Sequence, residues 1–106
     1  MSQKMPKFFE EFRAAYPDVA ARYNELSGAC RQAGPLDERT VELVKLAIAM
    51  GAAAEGAAHS HARRALAAGA TEQQLEHVAL LAITTLGFPR AMTGLAWVRD
   101  VTKGGR

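Results

Sequence analysis

Apolar and polar positions along the chain recur with a period near 3.6 rather than 2, and prolines and glycines cut this pattern into six stretches. Pro6, Pro17, Pro35 and Pro89 each fall at or just before the start of a helical stretch, where a missing amide hydrogen costs no bond. Gly34, Gly69 and Gly87 fall at the ends of stretches, where a left-handed residue closes the last turn. The pattern predicts a short first helix over about Pro6 to Ala15, striped by Phe8, Phe9 and Phe12, and a second over about Asp18 to Ala33. A third follows an Asp37 cap, with Val41, Val44, Ala47, Ile48 and Gly51 repeating at helical spacing. The fourth, about Ala53 to Ala68, is rich in Ala and Gly. The fifth opens at Thr71 with Gln74 three residues on, the spacing of a capping box. The sixth runs from about Pro89 to Val101 and carries Met92, Leu95, Trp97 and Val98. With no strand pattern, long linker or internal repeat, the expected fold class is all-α, with about six helices.

The fifth helix changes the picture beyond one chain. From Leu75 to Leu86 it is apolar on nearly every side, and such a helix has to be covered on nearly every side. A chain of 106 residues, read as a single domain over 1–106 with a tail from 102, has little material for that. Other subunits are therefore expected to cover part of it. Composition agrees with helices: 49% of residues are hydrophobic but only 7% aromatic, so the apolar content is mostly small and aliphatic. Thirteen basic residues face eleven acidic ones, and setting aside Lys103 and Arg106 near the C-terminus leaves the body balanced. No basic stripe interleaved with aromatics exists, which argues against nucleic acid. A single cysteine, Cys30, excludes an internal disulfide framework and an all-cysteine metal site within one chain. The N-terminus leads into an acidic amphipathic segment rather than an apolar signal core. The most apolar run, Val78 to Phe88, is too short to span a bilayer. The expectation is a cytoplasmic protein with no membrane partner.

The stretch from Glu42 to Trp97 carries a resemblance. It holds Glu42-Leu43-Val44-Lys45-Leu46-Ala47-Ile48-Ala49-Met50-Gly51, then the small-residue helix through His61, then Ala65-Leu66-Ala67-Ala68-Gly69-Ala70-Thr71-Glu72-Gln73-Gln74-Leu75. This resembles the core of the carboxymuconolactone decarboxylase / alkylhydroperoxidase D-like family. There an upstream glutamate leads to a helix of the form Cys-x-x-Cys-x-x-x-His, and the next helix begins after an Ala-Gly-Ala-Thr-like turn. The resemblance sets His61 on the family's histidine and Glu42 on its glutamate, and implies homotrimers or homohexamers. The cysteine positions fall on Ala54 and Ala57. Alanine offers no thiolate, so the dithiol cycle of the family's peroxidase branch has nothing to run on.

His61 shares its helix side with Ala54, Ala57, Ala58 and Ala65 by three- and four-residue spacing, which leaves room around the imidazole and suits a general acid or base facing a cavity. Its bland alternative is a histidine satisfied by packing. Glu42, taken alone, reads as a solvated residue pairing with Lys45; under the family's packing it approaches His61 and orients it. His59 and His61 form a His-x-His, but residues two apart on a helix point about 200° from each other, so one chain cannot chelate with both. No metal is expected, with Glu55 and Glu42 the only obvious oxygen donors, and His59 is placed near a polar edge. His59 and Arg63 are the candidate substrate contacts, Arg63 as a cation for an anionic group at a pocket mouth. Cys30 reads as small apolar packing, with a lone peroxidatic thiol as the sharper alternative. His77 is assigned no role.

Three functions follow from this. The first is cofactor-independent acid–base chemistry on a small carboxylate, lactone or keto acid through His61 and Glu42. The second is a non-catalytic helical oligomer that binds a small ligand or scaffolds a partner. The third is a residual peroxidase-like protein using Cys30.

Overall fold

The computed structural model describes residues 4–104, with side chains from residue 7, so the expectations for residues 1–3 and for Gly105 and Arg106 lie outside the described residues. Six helices follow in order: α1 (Lys4–Ala15), α2 (Pro17–Gln32), α3 (Glu38–Gly51), α4 (Glu55–Ala67), α5 (Glu72–Leu86) and α6 (Phe88–Thr102). Each expected helix is present, with ends moved by one or two residues. The described residues contain no strand.

The chain divides into two compact units, residues 1–36 and 37–106. In the first, α1 packs along α2. Phe9, Phe12 and Tyr16 form a tilted aromatic run with ring centroids 6.4 and 5.7 Å apart, and the Arg13 guanidinium lies 5.6 Å from the centre of the Phe9 ring. Phe8 is 64% exposed. Cys30 is exposed on α2, which corrects the expectation that it packs internally. Gly34 is not left-handed either. The end of α2 is closed instead by a right-handed Ala33, whose amide donates to the Cys30 carbonyl.

In the second unit α3 packs on α4, α5 on α6, and α4 on α6. Leu46, Met50, Leu75 and Val98 are sealed at the centre, with Ala58, Ala62 and Ala65 of α4 among them. Those alanines bring the α4 backbone close to its neighbours, which is why an alanine-rich segment serves as the middle helix. The caps sit where the sequence puts them. Asp37 accepts from the Thr40 amide at 2.8 Å, and hydrogen bonding from the Thr40 side chain and then from this amide holds its carboxyl below its ordinary value. Thr71 and Gln74 exchange both capping-box bonds at 3.0 Å. Gly69 and Gly87 have φ of 103° and 97°, a region side chains rarely enter.

The apolar repeat of α3 does not face the core. The buried residues of this helix are Glu42, Leu46, Ala49 and Met50, whereas Val44 is 43% and Ile48 64% exposed. Both faces carry apolar residues, so periodicity alone could not choose between them. On α5, Leu75 and Ala79 turn inward while Leu80 and Leu81 stay more than half exposed. The outward residues of α3 and α5 flank an open groove of about 540 Å³, walled by Leu43, Val44, Val78 and Leu81 with Gln74 and His77 at its polar positions.

Across α5 and α6, Arg99 donates to Glu76 through Nε at 3.0 Å and Nη2 at 3.4 Å, and Lys103 reaches Glu72 at 3.2 Å. The Arg99 bond holds the Glu76 carboxyl below its ordinary pKa. A depressed carboxylate contributes stability that is complete above its unfolded pKa and is lost as pH falls through its folded one. The melting temperature of Glu76→Gln, followed from neutral pH into the acid range, is expected to fall less steeply on acidification than that of wild type. Parallel acid profiles would show that the pair contributes nothing. Thr102 Oγ1, next to this surface in sequence, is buried without a hydrogen-bond partner among the described residues, and nothing in the structure accounts for it.

Candidate functional site

Two histidines near the middle of α4 face opposite ways, as the spacing of two residues requires. His61 turns toward α3. Its Nδ1 lies 2.8 Å from Oε1 of Glu42, whose side chain is only 3% exposed, while 14% of the His61 side chain remains accessible. A carboxylate only accepts, so Nδ1 carries the hydrogen and donates it. Among the described residues Nε2 of His61 has no hydrogen-bond partner, and in the neutral ring it is the basic nitrogen. Glu42 is thus neither a solvated residue nor Lys45's partner. Local sequence favours that reading, and the packing of α3 on α4 overrides it by burying Glu42 one turn before Leu46.

Small residues surround the start of this helix. Ala54 is the cap residue just before α4, and Ala53 before it has a φ of 57°. A left-handed alanine is strained by roughly 1 kcal/mol, so the chain enters α4 through a tight, sterically costly turn. Ala57 is exposed in the first turn, Ala58 is buried, and neither supplies a polar atom. The groove between α3 and α5 is lined by neither His61 nor Glu42, so it is not the cavity expected around the imidazole.

His59 turns toward α6. It is 8% exposed, with Nε2 3.0 Å from Asp100 Oδ2 and 3.9 Å from Glu55 Oε2. This corrects its placement near a polar edge: α6 covers that side of α4. Asp100 went unnoticed in the sequence, yet a signal was there. An acid in the last turn of a helix opposes the helix dipole, which flags a compensating cation or ligand elsewhere. Arg63, one turn beyond His59 on the same side, is half-buried. The structure therefore joins His61 to Glu42 and His59 to Asp100 and Glu55, as two separate groups.

The helix order, the buried glutamate on α3 and its histidine partner on α4 are the arrangement that the resemblance implied. A family model for the carboxymuconolactone decarboxylase family matches residues 17–100. The chain belongs to that family. The match reaches back through α2, well before Glu42, and ends at Asp100. No curated protein and no solved structure matches the chain significantly. Glu42, Ala54, Ala57 and His61 all lie within the residues that the carboxymuconolactone decarboxylase family model matches. No helix among the described residues is long and apolar enough to cross a membrane.

Proposed function

We propose that this carboxymuconolactone decarboxylase family member is a cofactor-independent acid–base enzyme for a small carboxylate, lactone or keto acid, with His61 as the proton-transferring group. One observation carries the reading: a buried carboxylate holds one ring nitrogen of His61 at 2.8 Å and leaves the other without a partner among the described residues. That arrangement fixes the tautomer, orients the ring and stabilises the imidazolium that forms when Nε2 takes a proton. In a proton shift beside a carbonyl, Nε2 removes the proton from carbon and the electron pair moves into the carbonyl as an enolate. In a decarboxylation the carbon–carbon bond supplies that pair, and the imidazolium returns a proton to carbon. Glu42 acts on His61 rather than on substrate. His59 and Arg63, the substrate contacts expected from the sequence, lie on the side of α4 away from His61 and take no part in this step. Dithiol peroxidase chemistry has no support in Ala54 and Ala57, and the exposed Cys30 is a lone thiol.

A second reading, a ligand-binding or scaffolding homo-oligomer, draws on the exposed apolar residues of α3 and α5. Self-association into trimers or hexamers is compatible with either reading.

A thermal-shift screen of small carboxylates, lactones and keto acids separates the two, because selective binding to the folded state raises the melting temperature. Under the acid–base reading, a ligand stabilises wild type and is turned over, and His61→Gln loses turnover by at least about a hundredfold while still folding. Hits that bind equally well to both proteins, with no turnover by either, would sink that reading in favour of the non-catalytic one.

A further inference from the structure

The second histidine of α4 stands in a cluster that the acid–base reading leaves unused. Glu55 and His59 are four residues apart on α4, the spacing at which two helical side chains reach one point, and Asp100 approaches from α6. One ligand atom from each of the three lies within 4.8 Å of the others. We propose that Glu55, His59 and Asp100 form a binding site for a divalent transition-metal ion of the zinc class, bound by one nitrogen and two oxygens.

Three features carry the assignment. The donors come from two helices, so the site closes the contact between α4 and α6 rather than lying along one exposed face. His59 is 8% exposed and presents Nε2, the nitrogen 3.0 Å from Asp100 Oδ2 and 3.9 Å from Glu55 Oε2. These spacings are near the separation of two ligands that share one ion at about 2.0–2.2 Å each. Finally, two carboxylates converge on one imidazole nitrogen, which has at most a single hydrogen to donate. A divalent ion balances both carboxylates and takes the place of that hydrogen. A mixed nitrogen and oxygen set suits zinc, cobalt or manganese, and three protein ligands leave coordination positions for water. The His-x-His of the sequence is thus not the chelating pair. The pair is Glu55 with His59, completed by a residue forty-one positions on.

The site is tested on the full chain, stripped of metal and of any purification tag, by calorimetric titration with Zn²⁺ and by the visible absorption of Co²⁺. Wild type is expected to bind one ion per chain and to melt at a higher temperature with Zn²⁺ present. His59→Ala and Asp100→Asn are expected to lose binding. Glu55→Gln alters a side chain that is 53% exposed, so it leaves the fold intact, and it is expected to weaken binding by at least about tenfold. His77→Ala is expected to bind as wild type does. The proposal is overturned if metal-free wild type shows no one-to-one binding, the carboxylates then being balanced by protein cations alone. Binding that survives His59→Ala or Glu55→Gln unchanged, or that disappears with His77→Ala, overturns it equally.

Discussion

Replacing His61 with alanine is expected to destabilise the protein by about 3 kcal/mol and to abolish any turnover. The stability loss comes mainly from the partner left behind. The Glu42 side chain is 3% exposed, and the His61 Nδ1–H at 2.8 Å is a donor that water cannot readily replace there. Breaking a buried pair by removing one member typically costs 3–5 kcal/mol. The lower end applies because His61 itself keeps 14% of its side chain accessible. The sharper test is the double variant. Glu42→Leu with His61→Leu removes both polar groups together and is expected to recover most of the loss, since an apolar pair of similar volume needs no desolvated charge. Glu42→Gln, which keeps an acceptor for Nδ1–H, should fall between wild type and His61→Ala. Denaturant midpoints for wild type, Glu42→Leu, His61→Leu and the double variant form a coupling cycle. Additive effects would show that Glu42 and His61 do not act as a unit, and the orienting role assigned to Glu42 would go with them.

Gly94→Val is expected to cost at least roughly 3 kcal/mol, lowering the melting temperature by about 12 °C or more. Gly94 lies buried in α6, and a side-chain carbon added there would sit 2.8 Å from Met50 Sδ and 2.9 Å from its Cγ. Met50 is fully buried at the centre of the second unit and has little room to retreat. Two effects compete in Gly94→Ala: about 1 kcal/mol gained from helix propensity, and 1–3 kcal/mol lost to overpacking. The net loss is therefore about 1 kcal/mol. Valine adds two more methyl groups and a branched carbon that helices tolerate less well, so the loss grows. Combining Gly94→Val with Met50→Ala should cost less than the two changes added together, because the valine fills part of the space the methionine leaves. A Gly94→Val protein as stable as wild type would show that α3 and α6 do not meet at this point.

Much of the fold was legible because its signals are local. Asp37, the Thr71–Gln74 box, Gly69 and Gly87 act through backbone groups three or four residues away, and each does what its neighbours require. The helices lie where the prolines and glycines bound them. The α3 face was a different matter. Val44 and Ile48 recur at helical spacing as clearly as Leu46, Ala49 and Met50 do, and only the packing of α4 and α6 shows which set is inside. Cys30 shows the same limit: a small apolar residue near a helix end packs or faces out according to what lies over it, and here it faces out.

The site divides along the same line. From the sequence came the family, the absence of the dithiol at Ala54 and Ala57, and the rule that His59 and His61 on one helix point apart, since each follows from residue identity and the pitch of a helix. The partners came from the packing. Glu42 lies nineteen residues from His61 and Asp100 forty-one from His59, and no spacing rule within one helix reaches that far. Which carboxylate meets which imidazole depends on how α3 and α6 lie against α4. That arrangement is set by the small alanines of α4 and the sealed centre of Leu46, Met50, Leu75 and Val98.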